Sequence, residues 1–97
     1  MVSTLIQIID SHNKKYTIYS KFVISITCDQ SNYEIYIEVA NRAIPYTYIN
    51  KESVTIHCKT IRSISYDENN DVINIAICYT DINKMFSDYN NLLKQVN

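Results

Sequence analysis

"YEIYIEVANRAIPYTYI", residues 33–49, alternates between bulky apolar or aromatic residues and polar ones, with the period of two that marks a half-buried strand. Tyr33, Ile35, Ile37 and Val39 fall on one face, Glu34, Tyr36 and Glu38 on the other. A slip of one residue would exchange the two sets, so the stretch specifies a strand together with its core side and its outer side. Ile44, Tyr46 and Tyr48 continue as a further strand. Pro45 within it cannot donate a ladder hydrogen bond, so that strand lies at a sheet edge or begins there.

The same period extends outward in both directions. From Tyr16 to Cys28 the even positions Tyr16, Ile18, Ser20, Phe22, Ile24, Ile26 and Cys28 form the apolar set, with a bend expected near Ser20 and Lys21. Val2–Ile9 is β-prone but alternates poorly, as a strand buried on both faces or at a barrel seam does. Downstream, Val54, Ile56 and Cys58 start a run whose parity Ile61 breaks before Ile64 and Tyr66 restore it, which predicts a bulge or corner at Lys59–Arg62. "DENND" (67–71) then turns the chain into Val72–Tyr79, where Ile73, Ile75, Ile77 and Tyr79 share a face. A hairpin over about 61–79 follows.

The chain ends in a different period. Ile82, Met85, Phe86, Tyr89, Leu92, Leu93 and Val96 recur at helical spacing behind a Thr80 or Asp81 cap, with Lys94 placed to suit the C-terminal dipole. A helix of this length is marginal alone in water and must dock its stripe. The polar face, Asn83, Lys84, Ser87, Asp88, Asn90 and Asn91, carries too little positive charge to seek anionic lipid, so the stripe reads as core.

Ninety-seven residues, 46% hydrophobic and 20% charged, form a single globular domain over 1–97. The fold class is α+β: a mainly antiparallel β-sheet or bent small barrel of six to seven strands with one C-terminal amphipathic helix. The start lacks the regions of a signal peptide and no apolar run reaches bilayer length, so a soluble cytoplasmic protein without a membrane span is expected. Ile, Asn, Lys and Tyr supply 44 residues, and Gly, Ala, Arg and Pro only 6, the bias of an AT-rich genome such as that of a low-GC bacterium, its phages and mobile elements, or an AT-rich virus.

The absence of glycine excludes a great deal. Dinucleotide-binding GxGxxG, the Walker loop, the GxSxG elbow and the GXXG clamp of KH domains all need a residue without a side chain at a tight turn or phosphate. Turns must instead use Asn and Asp, which tolerate positive φ. The three cysteines, Cys28, Cys58 and Cys78, are widely spaced in strand-like runs and read as buried free thiols. His57 adjoins Cys58 but points to the opposite side of a strand, so the two do not form a nucleophile and base. No metal-ligand spacing and no catalytic constellation is present, and no cofactor is implied: the chain is expected not to be an enzyme.

Six or seven antiparallel strands closed by a C-terminal helix resembles the pleckstrin-homology family in element order over the whole chain. The tryptophan typical of that family's helix and its turn glycines are missing here. The resemblance implies a phosphoinositide-binding or adaptor domain, with Lys14, Lys15 and Lys21 on the first hairpin as the lipid-headgroup residues.

No motif names a function, and three classes of surface remain. Opposite the core faces lie Tyr19, Glu34, Tyr36 and Glu38, an aromatic and acidic face suited to a protein partner with a basic surface. Tyr46 and Tyr48 near Arg42, Lys51, Lys59 and Arg62 offer an aromatic platform with basic rails for single-stranded nucleic acid, against which stand a net charge of -1 and the absence of a concentrated basic field. The reading that follows is a small non-enzymatic protein-binding module, of the size and composition of phage or mobile-element inhibitors of host defence proteins, with homo-oligomerisation left open.

Overall fold

The computed structural model describes residues 3–42 and 49–96. In chain order the elements are β1 (Ser3–Ile9), β2 (Lys15–Tyr19), a 3-10 turn (Ser20–Phe22), β3 (Val23–Asp29), β4 (Glu34–Ala40), β5 (Ile49–His57), β6 (Thr60–Asp67), β7 (Val72–Cys78) and α1 (Ile82–Val96). They form a three-stranded sheet ordered β2-β1-β5 and a four-stranded sheet ordered β3-β4-β7-β6. The α+β class and the C-terminal helix are as the periodicity predicts. The sheets are mainly antiparallel, as expected, and one pairing is parallel: β1 runs alongside β5, with Ile6 opposite Val54 and Ile8 opposite Ile56. The expected strand through Ile44, Tyr46 and Tyr48 lies outside the described residues.

Of the three passages between the sheets, β2 to β3, β4 to β5 and β5 to β6, the first and the last fall where the sequence pattern falters. Tyr16–Cys28 is two strands in different sheets, joined by the 3-10 turn at the expected bend, and the buried Ser20 hydroxyl there accepts from the Thr4 N–H at 2.9 Å. The last crossing runs through Cys58 and Lys59, where the Lys59 N–H donates to the Cys78 carbonyl at 2.8 Å. Beyond it the pairing with β7 shifts between Ile61 and Ser63, the bulge that the parity break predicts.

A second bulge, in β3, was not legible. Val23 pairs with Val39 but Ser25 pairs with Glu38, which leaves Ile24 unpaired and 53% exposed instead of in the core. Tyr33 is also corrected: it closes the Asp29–Asn32 turn at φ 55°, and its ring is exposed. Among the described residues Asn13 and Asp71 hold the other positive φ values, as a chain without glycine requires.

One core lies between the sheets and under the helix. Ile6, Ile8 and Ile56 from the first sheet meet Ile35, Ile37, Ile75 and Ile77 from the second, with Met85 and Leu92 of α1, all at most 1% exposed. Ile82, Phe86, Tyr89, Leu93 and Val96 pack around them, the full predicted stripe. At about 1.5–3 kcal/mol gross for each fully buried large side chain, this packing is what holds the helix. Asp81 caps it by accepting from the Asn83 N–H at 2.9 Å. Tyr79, at the end of β7, anchors it further by donating to Asp88 Oδ2 at 2.8 Å, and burial followed by that hydrogen bond pushes its phenol up.

Asp10 ties the two sheets together. Its Oδ1 accepts from the His12 and Lys14 N–H groups at 2.9 Å each, shaping the β1–β2 turn, and its Oδ2 accepts from the Ile61 N–H at 3.0 Å. The Ile61 bond leads the hydrogen bonds that hold this carboxyl below its ordinary range.

Candidate functional site

The outer face of the four-stranded sheet is set by three rows of paired residues: Asp29–Glu34–Cys78–Thr60, Thr27–Tyr36–Ala76–Ser63 and Ser25–Glu38–Asn74–Ser65. Small side chains surround Tyr36 on both sides, so the face opens as a cleft of about 320 Å³ with Tyr36, Glu38, Arg62 and Asn74 among its walls. The β6 bulge gives this face one residue more than strict alternation would. Ile61 stays in the core, Ser63 pairs outward with Ala76, and the inserted Arg62 reaches across to Glu34.

Glu34 is therefore not a free surface carboxylate. It is only 7% exposed, and it accepts from Tyr36 Oη at 3.0 Å, from Cys78 Sγ at 3.3 Å and, through Oε2, from Arg62 Nε in an ion pair. Burial alone would raise its pKa, but the hydrogen bonds from Arg62, Tyr36 and Cys78 outweigh it and hold the carboxyl below its ordinary range. The same bond pushes the Tyr36 phenol up. The result is a half-buried tyrosine ring and a half-exposed guanidinium fixed to each other through a shared carboxylate. Glu38, half-buried two residues on, has no hydrogen-bond or ion-pair partner among the described residues, and Ile24 stands beside it on the bulged edge.

Of the four residues expected on one face, Glu34, Tyr36 and Glu38 lie along β4, and Glu34 is buried by its partners. Tyr19 belongs to the other sheet and lines a separate cleft of about 190 Å³ with Tyr16, Phe22, Val39 and Arg42. The strand-to-turn crossing at Ser20–Phe22 separates it from Tyr36. The basic residues do not converge: Arg42 lines that cleft, Lys59 another with Ser11, Tyr79 and Lys84, and Arg62 the Tyr36 cleft. Tyr46 and Tyr48 lie outside the described residues, and the Lys51 side chain is likewise not described. Lys14 and Lys15 line a groove with Arg62, whereas Lys21 stands over the Phe22 ring at 5.3 Å.

His57 is exposed and Cys58 buried, on opposite sides as expected. Burial, with the Asp10 charge second, pushes the Cys58 thiol up to about 11. Among the described residues no group of three or more His, Cys, Asp and Glu side chains is arranged to hold a metal ion, and no helix is long and apolar enough to cross a membrane.

The sequence set Arg62 among the basic rails of a nucleic-acid platform and did not foresee its ion pair with Glu34. The signal that could have found its role is the parity break at Ile61, since an inserted residue in a bulge is turned to the face its neighbours leave open. Set against known proteins, the chain matches no family model, no curated protein and no solved structure.

Proposed function

We propose that this chain is a protein-binding module that acts by occupancy, through the outer face of its four-stranded sheet centred on Tyr36. The observation that carries the reading is the locking of Tyr36 and Arg62 onto the buried Glu34 carboxylate. Tyrosine and arginine are the residue types enriched where binding energy concentrates, and holding them in place beforehand lowers the entropy lost on association. Desolvating a carboxylate on the side of a sheet that faces away from the core is costly unless it is paired, and Arg62, Tyr36 and Cys78 supply that pairing and are fixed by it.

The chemistry of the face defines its complement. Ile24 and the Tyr36 ring offer apolar area, the unpaired Glu38 asks for a cation, and the exposed part of Arg62 asks for an acceptor. A basic partner surface is thus wanted at Glu38 alone, not across the whole face, because Arg62 neutralises Glu34. The residue bias toward AT-rich codons supports seeking the partner in an AT-rich bacterium or its phages.

The test is affinity capture from such a lysate with wild-type, Tyr36→Ala and Glu38→Lys proteins, identifying bound species by mass spectrometry. A protein held by the wild type and lost from both variants is expected. Capture of the same protein by all three, or of polynucleotide alone with steep salt dependence, would overturn the reading.

A further inference from the structure

A second surface, the free edge of β6, adjoins the Tyr36 face, with Arg62 and Ser63 at the border of the two. Strand β6 bonds to β7 on one side and has no strand on the other among the described residues. Its exposed edge carries Ile64, 45% exposed, and Tyr66, 54% exposed, two of the large apolar side chains the fold leaves most open. They lie at alternate positions and so share a side of the strand. Edge strands are normally blunted by lysine, proline or a bulge along their length. Here the bulge sits at the start, Asp10 occupies only the Ile61 N–H, and Ser63–Asp67 carries neither lysine nor proline.

Charge is divided along this edge. At its start Lys14 and Lys15 stand with Arg62 around a groove of about 360 Å³ floored by Ile61 and Ile64. Neither lysine has a carboxylate partner among the described residues. At its end the exposed turn carries Asp67 and Glu68, with Asp71 following. Asp67 accepts from Asn69 and Asn70, and Asp71 from Tyr66 and Asn41, which leaves Glu68 as the carboxylate with no such bond among the described residues.

We propose that the chain forms a two-fold dimer in which β6 pairs antiparallel with β6 of a second copy, joining the two four-stranded sheets into one. Antiparallel pairing about an axis near Ile64 and Ser65 brings the acidic end of each strand against the basic end of the other. Parallel pairing would set like charges together, which cross-strand neighbours do not tolerate. Because a two-fold interface is self-complementary, one strand with a basic start and an acidic end suffices to satisfy both halves. Strand addition also satisfies the edge N–H and C=O groups and covers Ile64 and Tyr66. This inference does not depend on the Tyr36 face, which the dimer would present twice on one continuous sheet.

Sedimentation of the full chain over the micromolar to millimolar range tests it. The mass is expected to rise from 11.3 kDa to twice that value, with amides of Ser63–Asp67 gaining exchange protection as it does. Ile64→Lys should remain a monomer at concentrations where the wild type is dimeric, with unchanged far-ultraviolet circular dichroism. Lys14→Glu with Lys15→Glu should weaken the dimer about tenfold, and adding Glu68→Lys to that pair should restore it, a rescue that a merely structural role cannot produce. A wild type that stays monomeric throughout, a dimer indifferent to Ile64→Lys, or a triple variant no tighter than the double one would each overturn the proposal.

Discussion

The Tyr36 hydroxyl donates to Oε1 of Glu34 at 3.0 Å, two residues away on the same face of β4, while Arg62 holds the other carboxylate oxygen from across the sheet. This arrangement makes Glu34 a pH-dependent element of stability. Its carboxyl lies below the ordinary range in the folded chain, so its contribution is complete above the unfolded glutamate range and is lost as pH falls through the folded value. Glu34→Gln should be less stable than wild type at neutral pH, with the gap closing on acidification. Urea midpoints measured down the acid limb check this, and a gap independent of pH would contradict it.

The helix stripe is buried unevenly, and truncations should follow that gradient. Leu92 is fully buried, so Leu92→Ala should cost about 2–5 kcal/mol, and Phe86→Ala and Leu93→Ala, which remain partly exposed, should lie at or below the lower end of that range. Chemical denaturation of the three variants gives the order. A Leu92→Ala midpoint close to that of a surface substitution would mean that α1 does not dock as described.

Cys58 should be the slowest thiol to label in the native state, since burial both shields it and pushes its pKa up to about 11. Cys28 and Cys78 are partly exposed, and burial raises both as well. Mass spectrometry after timed treatment with a maleimide at mildly alkaline pH measures the order. Labelling of Cys58 ahead of the other two would remove the buried reading.

Tyr33 occupies left-handed backbone at φ 55° with an exposed ring, a position where asparagine costs less. Tyr33→Asn is expected to stabilise the fold by roughly 1 kcal/mol, and Tyr33→Gly by less, because glycine also enlarges the unfolded ensemble. A rise in thermal midpoint for Asn above that for Gly is the readout, and a fall for both would assign the ring a packing role.

Much of this was legible because alternation reports burial directly. Ile35, Ile37 and Val39 are core as read, the 61–79 hairpin is present, and the helix stripe is complete. Two of the three sheet crossings fall where the period fails, at Ser20–Phe22 and at Cys58–Lys59. What escaped are long-range relationships that period two cannot encode. The β3 bulge moves Ile24 out of the core without any Gly or Pro to announce it. Glu34 looks like a surface acid until the β6 bulge brings Arg62 over it, and Tyr19 looks like a neighbour of Tyr36 until the chain changes sheets at Ser20. Parallel pairing of β1 with β5 joins segments more than forty residues apart, and local pattern says nothing about it.

In the proposed function Tyr36, tied to Arg62 through Glu34, anchors the protein-binding face. The most direct measurement is the affinity of the captured partner for wild type and for Tyr36→Phe, which keeps the ring but removes the hydrogen bond that ties it to Glu34, leaving the Glu34–Arg62 ion pair in place. Tyr36→Phe is expected to bind at least about tenfold more weakly with an unchanged fold, and Tyr36→Ala more weakly still. Equal affinity for wild type and Tyr36→Ala, with the partner's footprint on α1 or on the Tyr19 cleft, would contradict that role.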